Sequence, residues 1–155
     1  HTFGKGVRNP FEVLIQLSGQ SFNIENVGYG VSQVLPLIVE FLSGKERRRF
    51  AVQQPEVHQH PRAQAALGSL LFFLASERKH TFFIETHSDF LIDRYRLEMS
   101  GAKEAPQSQI LFFSRTETGN QIAPIDITKR GHYPADQPAQ FRDFFVREEM
   151  RLLSL

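Results

Sequence analysis

The sequence predicts an α/β fold in which a largely parallel sheet is flanked by helices. Between residues 50 and 114, short apolar runs that suit strands alternate with longer segments of helical periodicity. This order of strand, helix, strand, helix and strand is typical of βαβ units, whose strands run parallel. Polar residues follow two of the apolar runs, as they do at the carboxyl edge of a parallel sheet, where ligands usually bind.

Six short segments have the composition or alternation of β-strands. The first two are separated by residues 18–20, which have turn character, and are predicted to pair as a hairpin. The last contains Pro124, which cannot donate to a sheet ladder and therefore predicts an edge strand. In chain order the predicted strands are 11–17, 21–24, 50–52, 81–84, 110–113 and 121–127.

Four segments predict helices because their apolar residues recur at helical spacing. Pro36 is expected in the first turn of the first helix, and Pro61 at the start of the second. Ser88 and Asp89 both suit the N-cap of the third helix. The predicted helices are 31–42, 61–78, 90–99 and 141–153.

Composition limits the classes of protein to consider. The chain has 155 residues, enough for one ordinary domain, and 41% of them are hydrophobic, so it can bury a core. Its 18 Lys and Arg against 17 Asp and Glu exclude a strongly basic nucleic-acid binder. No apolar run approaches the roughly 18–20 residues that span a membrane, so no membrane partner is predicted. The absence of Cys excludes disulfides and thiolate metal sites and fits a cytoplasmic location.

Two polar segments contain the candidate catalytic and metal-ligating residues of the chain. One runs from Gln53 to Pro61 and contains Glu56, His58 and His60, and the other is Glu85–Ser88, which contains His87. A carboxylate with three histidines suggests a zinc-dependent hydrolase, because zinc accepts both ligand types. A serine triad built on Ser88 is another alternative, although no nucleophile-elbow glycines surround this residue.

Three ordered segments, Asn26–Pro36, Gln53–Gln64 and Glu85–Ser88, resemble the predicted ATPases of the ABC/SMC/RecF/OLD superfamily, in a subgroup described as AAA-type. The resemblance covers roughly residues 20–150. It implies the C-terminal half of a P-loop NTPase, an ABC-type ATPase head, in residues 1–115. Residues 116–155 would form a small C-terminal extension, similar to a domain of unknown function.

The resemblance implies a nucleotide site shared between two protomers. Gly28, Gly30, Ser32 and Gln33 would form the signature loop, which contacts the γ-phosphate of ATP bound to the other protomer. Residues 58–61, with His58 and His60, would form the D-loop, which crosses the same interface. The implied partner is therefore a second copy of the chain, with DNA or an effector protein as a further possibility by analogy.

The resemblance also implies roles in hydrolysis, with one departure from the superfamily pattern. Gln53 stands where an acidic residue normally holds the Mg²⁺ shell, and Gln54 where one polarises the attacking water. An amide can orient water but carries no charge and is a poor base. Glu56 would take over part of these roles, and His87 would contact the γ-phosphate.

The phosphate-binding loop of such ATPases is missing from the sequence. Gly-Lys pairs occur at residues 4–5 and 44–45, and neither has the upstream Gly or the following Ser or Thr of a P-loop. Residue 1 is His, so the chain is expected to be a fragment that needs an N-terminal P-loop segment. The predicted function is ATP binding and hydrolysis coupled to dimerisation. The alternative is a degenerate module that binds nucleotide or a partner without hydrolysis.

Overall fold

A hairpin opens the part of the chain that the computed structural model describes, residues 12–155. Strands β1 (Leu14–Leu17) and β2 (Gln20–Asn23) pair antiparallel. Ser18 and Gly19 join them with φ angles of 49° and 83°, and two positive φ values match the turn that suits the twist of a hairpin. The predicted hairpin is confirmed, while residue 11 of its first strand lies outside the described residues.

Helix α1 (Tyr29–Leu42) follows a short 3₁₀ turn at Ile24–Asn26. It begins two residues before the predicted start, and the expectation that Pro36 lies in the first turn was wrong, because Pro36 is the eighth residue of the helix. Pro36 is inside the helix, where it has no N–H to donate to the carbonyl four residues earlier, that of Ser32.

A βαβ unit forms the centre of the chain. Strand β3 (Arg49–Gln53) pairs parallel with β4 (Thr81–Glu85), and helix α2 (Pro61–Glu77) connects them. Helix α3 (Asp89–Gly101) follows β4. The predicted N-cap at Ser88 is confirmed, because its hydroxyl accepts a hydrogen bond from the Leu91 N–H at 3.1 Å.

The core lies where α1, α2 and α3 pack on this βαβ unit. Its aromatic part is a stack of Phe50 on Phe82, with ring centroids 5.3 Å apart, and Phe41 meets both rings edge to face. The buried members of the cluster are Phe41, Phe50, Leu67, Leu71, Leu74 and Leu91. The strand ends and loops of the site are fixed by this core.

The prediction that a third strand extends the parallel sheet was wrong. Strand β5 (Ser108–Thr116) pairs antiparallel with β6 (Gly119–Ile127) along its whole length, so β3 and β4 form the parallel pair in residues 12–155. Because two residues connect β5 to β6, this local pairing costs little loop-closure entropy. The hairpin spans the proposed boundary between residues 115 and 116, and the division into two regions stays a prediction.

The C-terminal segment packs against α3 through polar and aromatic contacts. The Arg96 side chain donates to the Gly131 carbonyl at 2.7 Å, and its guanidinium lies 3.5 Å from the centroid of the Tyr133 ring. Helix α4 (Asp143–Leu153) ends the fold. Among the helices within residues 12–155, none combines the length and apolar character needed to cross a bilayer.

Candidate functional site

Three chain segments meet at the edge where β3 and β4 end. They are the α1 entrance (residues 28–33), the β3–α2 loop (54–60) and the β4–α3 loop (86–88). A cavity of about 180 Å³ lies at this edge, and it is lined by Tyr29, Gln33, Leu37, Gln53, Gln54, Pro55, Val57 and His58. Four residues that the sequence singled out, Gln33, Gln53, Gln54 and His58, therefore line one space.

The α1 entrance packs directly on the β3–α2 loop. A Cβ atom at Gly30 would lie 2.6 Å from the backbone oxygen of His58, so this position requires glycine. The side-chain amide of Gln59 donates to the Gly30 carbonyl. The rings of Tyr29 and His58 meet edge to face, with their centroids 4.9 Å apart. The predicted signature and D-loop segments are thus neighbours within one chain.

The start of α1 has the features of an anion-binding helix terminus. Gly28 is the N-cap with a φ of 92°, and no side chain of the described residues caps this end. The Ser32 hydroxyl donates to the Tyr29 carbonyl at 2.8 Å, within its own helix. An uncapped terminus leaves its backbone N–H groups for water or for an incoming anion.

The structure does not assemble the two alternative sites. The His60 ring caps α2 by accepting a hydrogen bond from the Arg62 N–H at 3.2 Å, and His58 and His87 are exposed. Within residues 12–155, no three side chains of metal-ligating type gather closely enough to hold a metal. Ser88 is 6% exposed and bonds to Gln64 rather than to a histidine, which removes the geometric basis of a triad.

Glu56 is the buried carboxylate of the site. Its side chain is 5% exposed, and Oε1 accepts hydrogen bonds from the Thr86 hydroxyl at 2.6 Å and from the His87 N–H at 2.9 Å. Oε2 is buried without a hydrogen-bond partner in the described part of the chain. Glu56 therefore ties the β3–α2 loop to the β4–α3 loop and fixes the backbone of His87.

A second chain of hydrogen bonds links the same loops through α2. The Thr86 hydroxyl accepts from the Ser88 N–H at 3.0 Å, and the Ser88 hydroxyl donates to Gln64 Oε1 at 2.6 Å. The Gln64 amide then donates to the Gln59 carbonyl at 2.9 Å. Sequence reasoning gave no role to Thr86 or Gln64, although a polar Gln64 beside the apolar stripe of α2 was a usable signal.

The two glutamines at the end of β3 converge on Glu85. The Gln53 and Gln54 amides donate to Glu85 Oε1 at 3.2 and 3.4 Å, and the Gln54 N–H donates to the Glu85 carbonyl at 2.7 Å. Gln54 has a φ of 45°, which turns the chain sharply at this point. Sequence reasoning placed Glu85 in the polar segment after the predicted strand 81–84 and gave its side chain no role of its own.

Comparison with known proteins points in one direction. The profile of the family described as the AAA ATPase domain matches residues 2–92, and the search of curated proteins found no match. A solved structure described as the structural biochemistry of ATP-driven dimerisation and DNA-stimulated activation of SMC ATPases is similar with a TM-score of 0.52. At 14% identity, over 86% of this chain and 68% of that chain, this similarity shows a shared fold.

Proposed function

The chain belongs to the AAA ATPase domain family, and from this premise we propose that it binds and hydrolyses ATP in an ABC/SMC-like head that dimerises. The observation that carries the proposal is a cavity lined by the α1 entrance and by the end of β3 with its loop to α2. The β4–α3 loop is tied to the same β3–α2 loop through the bond from the His87 N–H to Glu56. In α/β folds, ligands bind outside the carboxyl ends of the strands, which is where this cavity lies.

The dimer interface is proposed to include the α1 entrance and the exposed histidines of the β3–α2 loop. Gly28, Gly30, Ser32 and Gln33 would contact the γ-phosphate held by a second copy, since an uncapped helix start favours an anion. His58 and His60 are exposed on the neighbouring loop, and Tyr29, whose ring meets that of His58, is 61% exposed. These accessible groups support a role in contact with a partner.

The residues at this edge fit a hydrated Mg²⁺ ion. Mg²⁺ takes oxygen ligands and keeps several waters, and Glu85 offers a carboxylate at this edge, to which the side-chain N–H groups of Gln53 and Gln54 donate. The buried, unpartnered Oε2 of Glu56 is an acceptor without a donor in the described residues, as expected beside an ordered water. When bound, Mg²⁺ would neutralise charge that develops on the phosphates.

The chain's own groups would position the reactants. Gln54 would orient the attacking water, and His87 would contact the γ-phosphate through its exposed ring. Glu56 would hold the His87 backbone in place through its hydrogen bond to that N–H. Glu56 is thus proposed as a positioning carboxylate as well as a source of negative charge near the water.

The phosphate cradle is proposed to come from an N-terminal P-loop segment. Within the described residues, Gly44-Lys45 follows the end of α1, whereas a P-loop lies between a strand and the start of a helix. The pair at residues 4–5 lies outside the described residues. ATP binding should therefore require the segment that carries a Gly-Lys-Ser/Thr loop.

The proposal is tested by ATP turnover and ATP-dependent dimerisation of the protein that includes the P-loop segment. His87→Ala should lower kcat by about 100-fold, because a group that contacts the transferred phosphate is lost. His132→Ala is the matched control, since His132 is exposed and lies in the C-terminal segment. The proposal is wrong if the upstream coding sequence has no P-loop, or if both variants keep full turnover.

A degenerate, non-hydrolysing module is the second candidate, and the two neutral glutamines at the end of β3 favour it. It predicts ATP-dependent dimerisation without turnover, and a gain of turnover in Gln53→Glu.

For the hydrolysing ATPase, the same assay tests Glu56, because Glu56→Gln should lower turnover if Glu56 acts as proposed. DNA is a proposed partner, and its addition should stimulate turnover.

A further inference from the structure

We propose that Glu85 provides the carboxylate of the divalent-cation site, replacing the acidic residue that β3 lacks. This inference deepens the proposed function, because the cation concerned is the one that would accompany ATP. Glu85 ends β4, and the register of the parallel pair places it directly beside Gln53. Neighbouring strands lie about 4.8 Å apart, so the carboxylate reaches the same edge as the β3 position.

The hydrogen bonds at this edge orient Glu85. Both the Gln53 and the Gln54 amides donate to the same carboxylate oxygen, Oε1. Neither bond uses Oε2, whose lone pairs are left for a cation or one of its waters. Two amide donors on one oxygen hold the carboxylate at the strand ends, so the glutamines act as supports for Glu85.

The need of a Mg²⁺ site for a carboxylate ligand also favours Glu85. Protein sites for Mg²⁺ commonly supply one or two carboxylates, with waters and phosphates as the other ligands. Glu56 and Glu85 are the carboxylates among residues 53–60 and 85–88. Glu56 is buried and uses Oε1 for two hydrogen bonds, whereas Glu85 is exposed and open to a hydrated ion.

A second observation is a buried acceptor on the β3–α2 loop, which is bonded to the loop that follows Glu85. Glu56 Oε2 is buried and has no partner in the described part of the chain, and a buried carboxylate oxygen without a donor is costly. Its other oxygen is bonded to Thr86 and His87, the two residues that follow Glu85. A water in the cation's shell would satisfy it, which makes Glu56 the outer support of a site centred on Glu85.

The test uses Mn²⁺ as a probe of this chain without nucleotide. Titration of the ¹⁵N-labelled chain should broaden the amide signals of residues 53–54 and 85–87 first. Glu85→Gln should weaken this Mn²⁺ binding by about tenfold or more. Glu117→Gln, an exposed carboxylate in the turn between β5 and β6, is the matched control and should leave the broadening unchanged.

A double variant that moves the carboxylate from β4 to β3 sharpens the test. Gln53→Glu introduced into the Glu85→Gln variant returns a carboxylate to the same register pair and should restore the broadening. The proposal is overturned if broadening is centred elsewhere, if Glu85→Gln behaves like Glu117→Gln, or if the double variant restores nothing. ATP turnover with unchanged Mn²⁺ broadening in Glu85→Gln overturns this inference alone. Mn²⁺ binding at Glu85 in a protein that never binds ATP overturns only the proposed ATPase function.

Discussion

The region from α1 to α3 and the C-terminal region from β5 onward are stabilised by different forces. Within residues 12–155, the largest fully buried side chains are Phe41, Leu74, Met99 and Ile125. Three of them lie between residues 41 and 99, and Ile125 alone belongs to the C-terminal region. The C-terminal region instead joins α3 through guanidinium, carboxylate and phenol groups. The site is built on the first region, so its strand ends depend on apolar burial, while the contact of the second region with α3 depends on charged and aromatic groups.

The charged junction between the regions is formed by two arginines. Arg142, from the segment before α4, contacts Asp93 at 3.1 Å and Asp89 at 3.5 Å, and Arg96 pairs with Asp93 at 2.7 Å. Tyr133 packs against the Arg96 guanidinium. Ion pairs that are partly exposed weaken with salt, whereas apolar burial does not. The two regions should therefore respond differently to mutation, salt and pH.

The largest expected effect is in the apolar core. Leu74 is 0% exposed, so Leu74→Ala should lower the free energy of unfolding by about 2–5 kcal/mol, through lost burial and the cavity left behind. Denaturant unfolding followed by circular dichroism measures this loss. The neighbouring Phe73, which is 49% exposed, provides the control Phe73→Ala, and equal losses in both variants would contradict the proposed core.

A smaller effect is expected at the charged junction. Arg142→Met removes the cation between Asp89 and Asp93, and a partly buried pair of this kind should be worth about 1–2 kcal/mol. The loss should appear as faster amide hydrogen exchange in residues 131–142, with less change in α2.

Arg151→Met is the matched control, because Arg151 pairs with Glu148 on an exposed face of α4. If it accelerates exchange in residues 131–142 as much as Arg142→Met does, the junction is not what holds the C-terminal segment. Raising the salt concentration should reproduce part of the Arg142→Met effect in the wild type.

The third prediction concerns the hydrogen-bonded link between α3 and α2. Ser88→Ala removes both the N-cap of α3 and the bond to Gln64, which should cost about 1 kcal/mol in the free energy of unfolding. Ser100→Ala removes an exposed hydroxyl near the other end of α3 and should cost less. Thermal unfolding of the two variants compares them, and equal shifts would show that neither the N-cap nor the bond to Gln64 adds stability.

Sequence reasoning succeeded where periodicity decides structure. Apolar spacing predicted α1 to α4, and the composition of 50–52 and 81–84 predicted the parallel pair, because these features are local. The partner of a strand is not local, since the run at 110–113 suits either a parallel or an antiparallel neighbour. The turn at Glu117–Thr118 decided between them by bringing β6 next to β5.

The same limit applies to the candidate site. The motifs singled out Gln33, Gln53, Gln54 and His58 for a site shared between two protomers, and the structure shows that the four residues line one cavity within a single chain. The importance of Glu85 did not follow from its own segment, because it depends on the register between β3 and β4. A charge missing from one strand can be supplied by its neighbour, and that exchange becomes visible once the pairing is known.

The smallest expected effect is a pH dependence at the junction, caused by Asp89. Burial raises the pKa of Asp89 above its usual value of 3.8, and the nearby Arg142 opposes this shift. The folded state therefore holds this proton more tightly than the unfolded state. The stability that this proton contributes is complete below pH 3.8 and is lost as the pH rises through the folded-state pKa. Asp89→Asn cannot titrate, so it should gain stability relative to the wild type between pH 3 and pH 7.

Denaturant unfolding of wild type and Asp89→Asn across this pH range measures the difference directly. Asp136→Asn, at an exposed position of the C-terminal segment, serves as the comparison. A gain in Asp89→Asn that stays constant with pH would contradict the raised pKa, and a loss that grows with pH would show that the ion pair with Arg142 outweighs burial. In that case charge would stabilise the junction more strongly than the partial burial of Asp89 suggests, and the contrast with the apolar core would be larger.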